Sequence, residues 1–532
     1  MENSDVYEEL NKKWKSTCHV LLGGGVGELS SFAEWLKSDR PHARTAKSSL
    51  SGNNVSFFDS SYPKNARWIG FEEIDYSAAE QPIDINRIKD IDSILEAVSE
   101  RIRYCGNILL GEFSGIEKST TILDSHYVYA SQWVSKSKYI AYTTSCVLGE
   151  CLFGGHWVSG SYQIRSNTFM SHRCFEVVKV DYSSDCYYSH GLSACHDCLF
   201  CFNLKSKRNA IGNNPLPKDK YLALKGKLLS EIREELEKNK RVPHVYGFVA
   251  DAKLDYSRMK EAFSGMPGQP ETKADLAPVE KAFTSAARVI FETELKGIMK
   301  YSEWLSRNIP TFEPGVSCAS GKGLLVSDYG DFLQFPRNRL INDAEADWIG
   351  QRLTLSDDEC GCLSFSSAPE SLSPIAYYDP EWQVGKLNNN FECPVSVDVS
   401  NSYRTIIGVS SKKCAIGRWP RESDNIFGLH RVRLSSFCIR CFHSEKLQRC
   451  FEVLEGRNCS DCLYCHNIEN VHDSMFCFNT KNKRYAIGNV ELPKEKYLEI
   501  KKRVLEQLND ELTRTNAISL SIFNLLDRPK KQ

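Results

Sequence analysis

The chain has 532 residues and a mass of 60.4 kDa, more than one ordinary hydrophobic core organises, so two or more domains are expected. Its 67 Lys and Arg against 68 Asp and Glu leave a formal charge of −1, which excludes a globally basic nucleic-acid binder and an acidic tail protein. With 41% hydrophobic and 25% charged residues and no long apolar run, the sequence reads as a folded chain with no membrane span and no export signal. The expected location is the cytoplasm, or a virion assembled there.

The first feature in chain order is glycine-rich. His19 to Gly27, followed by Glu28 to Leu36, reads as a strand, a Gly-rich turn and a helix, an arrangement that cradles a nucleotide phosphate in some enzymes. It lacks the Lys-Ser/Thr of a P-loop, so a plain turn is the favoured reading.

The chain then repeats itself. Arg173-Cys174-Phe175-Glu176-Val177 returns as Arg449-Cys450-Phe451-Glu452-Val453, and residues 173–213 align with 449–489 without a gap, 23 of 41 positions being identical. Glu34-Trp35-Leu36 and Glu303-Trp304-Leu305 are a weaker echo upstream. Two copies of one unit are expected. Copy 1 is 1–241, with a mixed α/β region over 28–110, a β-solenoid (parallel β-helix-like) over 111–213 and a capping amphipathic helix over 216–241. In the mixed region Ile88 to Tyr104 is helix-like. A linker follows over 242–295, with a helix near Val279 to Phe291. Copy 2 is 296–516, its solenoid running to 489 and its helix over 493–515, before a tail over 517–532. The expected class is mainly β with α.

The solenoid reading rests on a period of three. Every third residue from Cys174 (Val177, Val180, Ser183, Cys186, Ser189, Leu192, Cys195, Cys198, Cys201) is small or apolar, and the same holds from Cys450 to Cys477. An α-helix needs a period near 3.6 and a flat strand a period of 2, so neither accounts for it. A coiled stack of short strands with tight corners does.

The 21 cysteines belong to the same pattern. Cys195-x2-Cys198-x2-Cys201 and Cys459-x2-Cys462-x2-Cys465 resemble zinc or iron–sulfur ligand spacings. Across the copies, however, Cys195 and Cys198 become Val471 and Ser474, as a packing residue can and a ligand cannot. What both copies retain is one candidate metal set each: Cys186, His190, His196 and Cys201, and Cys462, His466, His472 and Cys477. Packing is favoured over ligation, and a disulfide scaffold is disfavoured. Candidate binding residues are the basic corners Lys205, Lys207, Arg208 and Lys481, Lys483, Arg484, whose plainer reading is a solvated turn.

Cys477-Phe478-Asn479-Thr480, the stretch Lys481 to Asn489 and the helix from Leu492 to Val504 resemble an uncharacterised family of Cys-rich repeat proteins from small-genome bacteria, archaea and large phages. Its members are often labelled "CaiB/BaiF family", a CoA-transferase label that nothing in these residues supports. The resemblance implies a repeat fold and no activity. The functional expectation is a non-enzymatic structural or interaction protein, such as a virion or particle component, binding a protein partner or itself. Nucleic acid is a weaker partner and no membrane is expected. The alternatives are a zinc or iron–sulfur protein with one site per copy, and a nucleotide-binding enzyme using the Gly-rich turn.

Overall fold

The computed structural model describes residues 4–38, 43–58, 61–77, 82–84, 87–268, 275–328 and 331–527. The protein is mixed α/β with more strand than helix, and its two large sheets have 11 and 13 strands. Nearly all pairings in them are parallel. Cys174 pairs with Cys186, Cys186 with Cys198 and Cys198 with Ala210, so each rung lies twelve residues beyond the last. The second sheet keeps the same step, as in Ile426 with Cys438 and Cys462 with Ser474.

The three-residue period has a backbone cause. Arg173, Glu176, Lys179, Tyr182, Asp185 and Tyr188 all have φ between 43° and 58°, and left-handed residues continue at this spacing through both sheets. Four such corners fall within each twelve-residue step. A left-handed corner costs an L-residue roughly 1 kcal/mol. Complete strand pairing and a sealed interior offset that cost: Cys174, Val177, Val180, Ser189 and Cys198 are all fully buried. One rung of the first sheet is short, and there the register shifts between Val158 and Gly160. Gly160 has φ 125°, and a Cβ would lie 1.7 Å from the carbonyl oxygen of Ser171, so only glycine fits. Gln163 turns inward beside it and donates to the Ser159 and Ser171 carbonyls at 3.3 and 2.8 Å.

Helices flank the sheets. Asp5–Leu22 packs Trp14 edge-on against Phe153, and Ala277–Phe291 places Phe283 and Phe291 edge-on against Phe427 and Phe451. Each sheet ends in a short antiparallel turn and then a 22-residue helix, Lys218–Asn239 or Lys494–Thr515, starting directly after a proline. These helices match the sequence expectation. At the N-terminal glycines the strand reading is overturned and the favoured plain turn stands: His19 lies inside the helix Asp5–Leu22, and Gly23 is its left-handed C-cap at φ 71°. Leu10, Trp14, Cys18 and Leu21 form the buried stripe of that helix, so no strand leads into the glycines and the phosphate-cradle geometry is absent.

The compact units differ from the sequence copies. One unit comprises residues 1–44, 108–270 and 312–382; the other comprises 45–107, 271–311 and 383–532. The expected boundaries, 1–241 and 296–516, join each mixed region to the strands that follow it in the chain. Instead, 312–382 belongs with the rungs of 108–215, and 45–107 with those of 383–491. The hydrogen bonds that fasten them recur. In the first unit the Asp379 amide donates to His190 Nε2 at 3.1 Å and Asn203 Nδ2 to the Tyr377 carbonyl at 2.9 Å. In the second the Cys105 amide donates to His466 Nε2 and Asn479 Nδ2 to the Arg103 carbonyl, both at 2.8 Å. Among the described residues no helix is long and apolar enough to cross a membrane.

A buried Arg–Glu pair ties short segments to each stack. Arg165 Nε lies 3.1 Å from Glu176, and Arg165 also binds the Trp35 carbonyl. Arg440 pairs with Glu452, holds the Trp304 carbonyl at 2.5 Å and the Arg307 carbonyl at 3.1 Å, and is 1% exposed in its side chain. Glu452 also accepts from Ser521 Oγ at 2.9 Å and the Ile522 amide at 2.8 Å. Truncating one member of such a pair strands the other charge in a dry site. Glu452→Ala is therefore expected to destabilise its unit by about 3–5 kcal/mol in urea titration. A loss below about 1 kcal/mol would show that water replaces the carboxylate freely.

Candidate functional site

The thiols serve the backbone. Buried small side chains bond to peptide groups at the corners, which a dry interior requires to be satisfied within the protein. Ser183 Oγ donates to the Asp181 carbonyl at 2.7 Å and accepts from the Cys195 amide one rung on at 3.0 Å. Ser189 does the same with the Tyr187 carbonyl, at 2.8 Å, and the Cys201 amide, at 3.0 Å. In the second unit the equivalent positions are Cys459 and Cys465, whose thiols reach the Arg457 and Leu463 carbonyls at 3.1 and 3.3 Å. Cys465 Sγ also accepts from the Cys477 amide at 3.4 Å. Hydroxyl and thiol thus exchange because each is a small donor and acceptor of the right reach.

The candidate metal sets are not assembled. Cys186 and Cys201 point into the first stack, bonded to the Ser184 and Leu199 carbonyls at 3.4 Å. His190 and His196 point away from it: His190 accepts the Asp379 amide, and His196 Nδ1 meets Ser184 Oγ at 2.9 Å. In the second unit Cys462 and Cys477 are likewise internal, while His466 accepts the Cys105 amide and His472 Nδ1 meets Ser460 Oγ at 3.0 Å. Among the described residues no group of three or more His, Cys, Asp or Glu is placed to hold a metal ion. Burial pushes His190 well below the usual imidazole range; burial, then Arg457 and His443, push His466 down to about 3. Both rings are therefore neutral, with Nε2 the acceptor and Nδ1 carrying the proton.

The basic corners are largely engaged. Lys205 Nζ lies 2.5 Å from Asp347, Lys481 lies 2.7 Å from Glu469 and over the Tyr76 ring, and Arg484 lies 3.4 Å from Asp473. Lys207 and Lys483 are half-buried and Arg208 is exposed.

An unanticipated cluster surrounds Lys179, which is 9% exposed. Its ammonium binds Asp379 and lies 3.2 Å from Asp343. Burial disfavours the charge on Lys179, but Asp379 and Asp343 outweigh it and hold the lysine above its ordinary range. Burial raises Glu381, whose Oε2 accepts the Asp343 amide at 3.0 Å. A signal was present in the repeat itself: Lys179 aligns with Glu455, a charge reversal inside the best-matched block.

A cleft of about 970 Å³ in the first unit is lined by Glu34, Trp35, Ser38, Glu235, Lys240 and His244 among others. Ser38 Oγ lies 3.4 Å from His244 Nε2, and His244 Nδ1 lies 3.2 Å from the buried Glu176. That is the order of a nucleophile, a base and its orienting carboxylate. The hydrogen bonds run otherwise. Arg165 Nε donates to His244 Nδ1 at 3.0 Å and its Nη2 approaches Nε2, while Ser38 Oγ donates to the Trp35 carbonyl at 2.8 Å and accepts from Arg165 Nη1 at 3.1 Å. A serine proton committed to a carbonyl is not one the histidine can take. Ser38, Arg165, His244 and Glu176 form one connected network at the cleft. The chain matches no protein-family model, and no curated protein or solved structure is similar to it.

Proposed function

We propose that the protein is a non-enzymatic structural or interaction protein built by tandem duplication, each copy supplying a β-solenoid of twelve residues per coil and four corners per coil, closed by its terminal helix. The observation that carries this reading is the side-chain economy of the two stacks. Inward thiols and hydroxyls satisfy corner peptides, outward charges pair along the ladder, and the regularity serves a long repeated surface. Arg173 with Asp185 and Arg449 with Asp461, both at 2.6 Å, are such outward pairs, and Asn467–Asn479 is an amide rung at 3.0 Å.

The test is co-sedimentation of the tagged chain from its native source. Recovery in an assembly of fixed stoichiometry well above 60.4 kDa supports the reading. A free monomer throughout, together with nucleotide turnover, overturns it. Elemental mass spectrometry on anaerobically purified protein separates the metal alternative: the structural reading expects no stoichiometric zinc or iron, and one ion per copy would replace it.

A further inference from the structure

We infer that charge at two matched positions decides which segment docks on which stack, so that the exchange of 45–107 and 312–382 between the units is encoded rather than incidental. The two docking positions are equivalent. Asp379 and Cys105 each donate a backbone amide to the matched histidines His190 and His466. On the stacks, Lys179 and Glu455 occupy the same place in the aligned blocks.

The side chains at these positions are complementary only as exchanged. Asp379, which is fully buried, binds Lys179, and Asp343 of the same segment lies 3.2 Å from that ammonium. Glu455 is 6% exposed, lies 3.4 Å from His443 Nδ1, and is close enough to Cys105 for its charge to bear on that thiol. A neutral residue is what a buried carboxylate tolerates there. Were each segment to dock on the stack that follows it in the chain, Asp379 would face Glu455 first, with Arg457 next in influence at that position, and Lys179 would be buried against a thiol. Two carboxylates sharing a dry site, and a buried ammonium left with only the more distant Asp181 for counter-charge, are both unfavourable. Neutral contacts do not discriminate in this way, because Asn203 and Asn479 take the same carbonyl in both units. The charges act against the wrong pairing as well as for the right one.

The test uses the full chain with a protease site placed in the exposed Gly265–Gly268 loop, nicked after purification. The nicked wild type is expected to migrate as one species, because each fragment supplies the other's docked segment. In Cys105→Asp/Asp379→Cys each position receives the residue its counterpart carries. The fragments should then separate at markedly lower urea, with Tm reduced by roughly 10 °C. Adding Lys179→Glu/Glu455→Lys matches the charges again and should restore association. If the first pair fails to fold, Cys105→Asp alone should be destabilised and relieved by Glu455→Gln. Wild-type behaviour of Cys105→Asp/Asp379→Cys, or no recovery in the fourfold variant or on Glu455→Gln, would overturn the inference. So would fragments that part without denaturant in the nicked wild type.

Discussion

A chain ending at residue 241 is expected to yield no folded monomer, whereas one ending at residue 382 should form the first compact unit. The shorter piece keeps the rungs of 108–215 and their terminal helix but loses 242–270 and 312–382. That uncovers a face of large aromatic groups. Phe248 stacks on Phe200 at 5.7 Å, Phe365 meets Tyr188 at 5.3 Å, and Tyr378 meets Phe202 at 5.9 Å. Each large side chain returned to water costs about 1.5–3 kcal/mol, and several together exceed the roughly 5–15 kcal/mol by which a domain is stable. Lys179 and His190 lose their partners at the same time. Size-exclusion chromatography and limited proteolysis provide the comparison. In the 1–382 product, residues 45–107 should be cleaved first, having no rungs to pack on. A soluble, protease-resistant monomer from 1–241 would refute the assignment of 312–382 to this unit.

The second large effect is in thiol reactivity. None of the 21 cysteines is in a disulfide, yet only Cys362 is exposed and only Cys318 is half-exposed. The attacking species is the thiolate, and burial opposes it: the Cys146, Cys318 and Cys459 thiols are pushed up to about 12 and Cys151 up to about 11. With an aromatic disulfide reagent at neutral pH, Cys362 should react at once and Cys318 slowly. The remainder should wait for unfolding, when all 21 become available. Cys362→Ser should abolish the fast phase. A fast phase of three or more thiols would mean that the stack interiors are open.

The parts of this architecture set by local geometry were readable from residues, and the parts set by long-range docking were not. The period of three was legible because small or apolar residues recur along the buried register, and the exchange of Ser183 for Cys459 was legible as the kind of swap that packing allows. The terminal helices were equally plain, since a proline precedes each apolar stripe. What stayed hidden was the left-handed backbone: Arg173, Glu176 and Lys179 have no propensity for positive φ and adopt it because the rung closes around them. The helix leading into the N-terminal glycines was missed because three glycines in a row drew attention from the helical spacing of Leu10, Trp14, Cys18 and Leu21. The segment exchange was least visible, as it joins residues as far apart as His190 and Asp379, and no local pattern records which of two similar surfaces a segment prefers.

The interleaved order of the segments also sets a timetable for synthesis. The last strand of the first stack, Asn214–Pro215, leaves the ribosome long before Tyr377 to Asp379, the residues that cover its face. At about 5–20 residues per second, that face waits on the order of 10–30 s for its covering segment. Residues 45–107 wait longer, since His466 and Asn479 are made near the end of translation. A nascent chain in this state carries uncovered aromatic surface and a lysine without its counter-charge, and is a natural client for a holding chaperone. Slowing translation should therefore lower the yield of this protein.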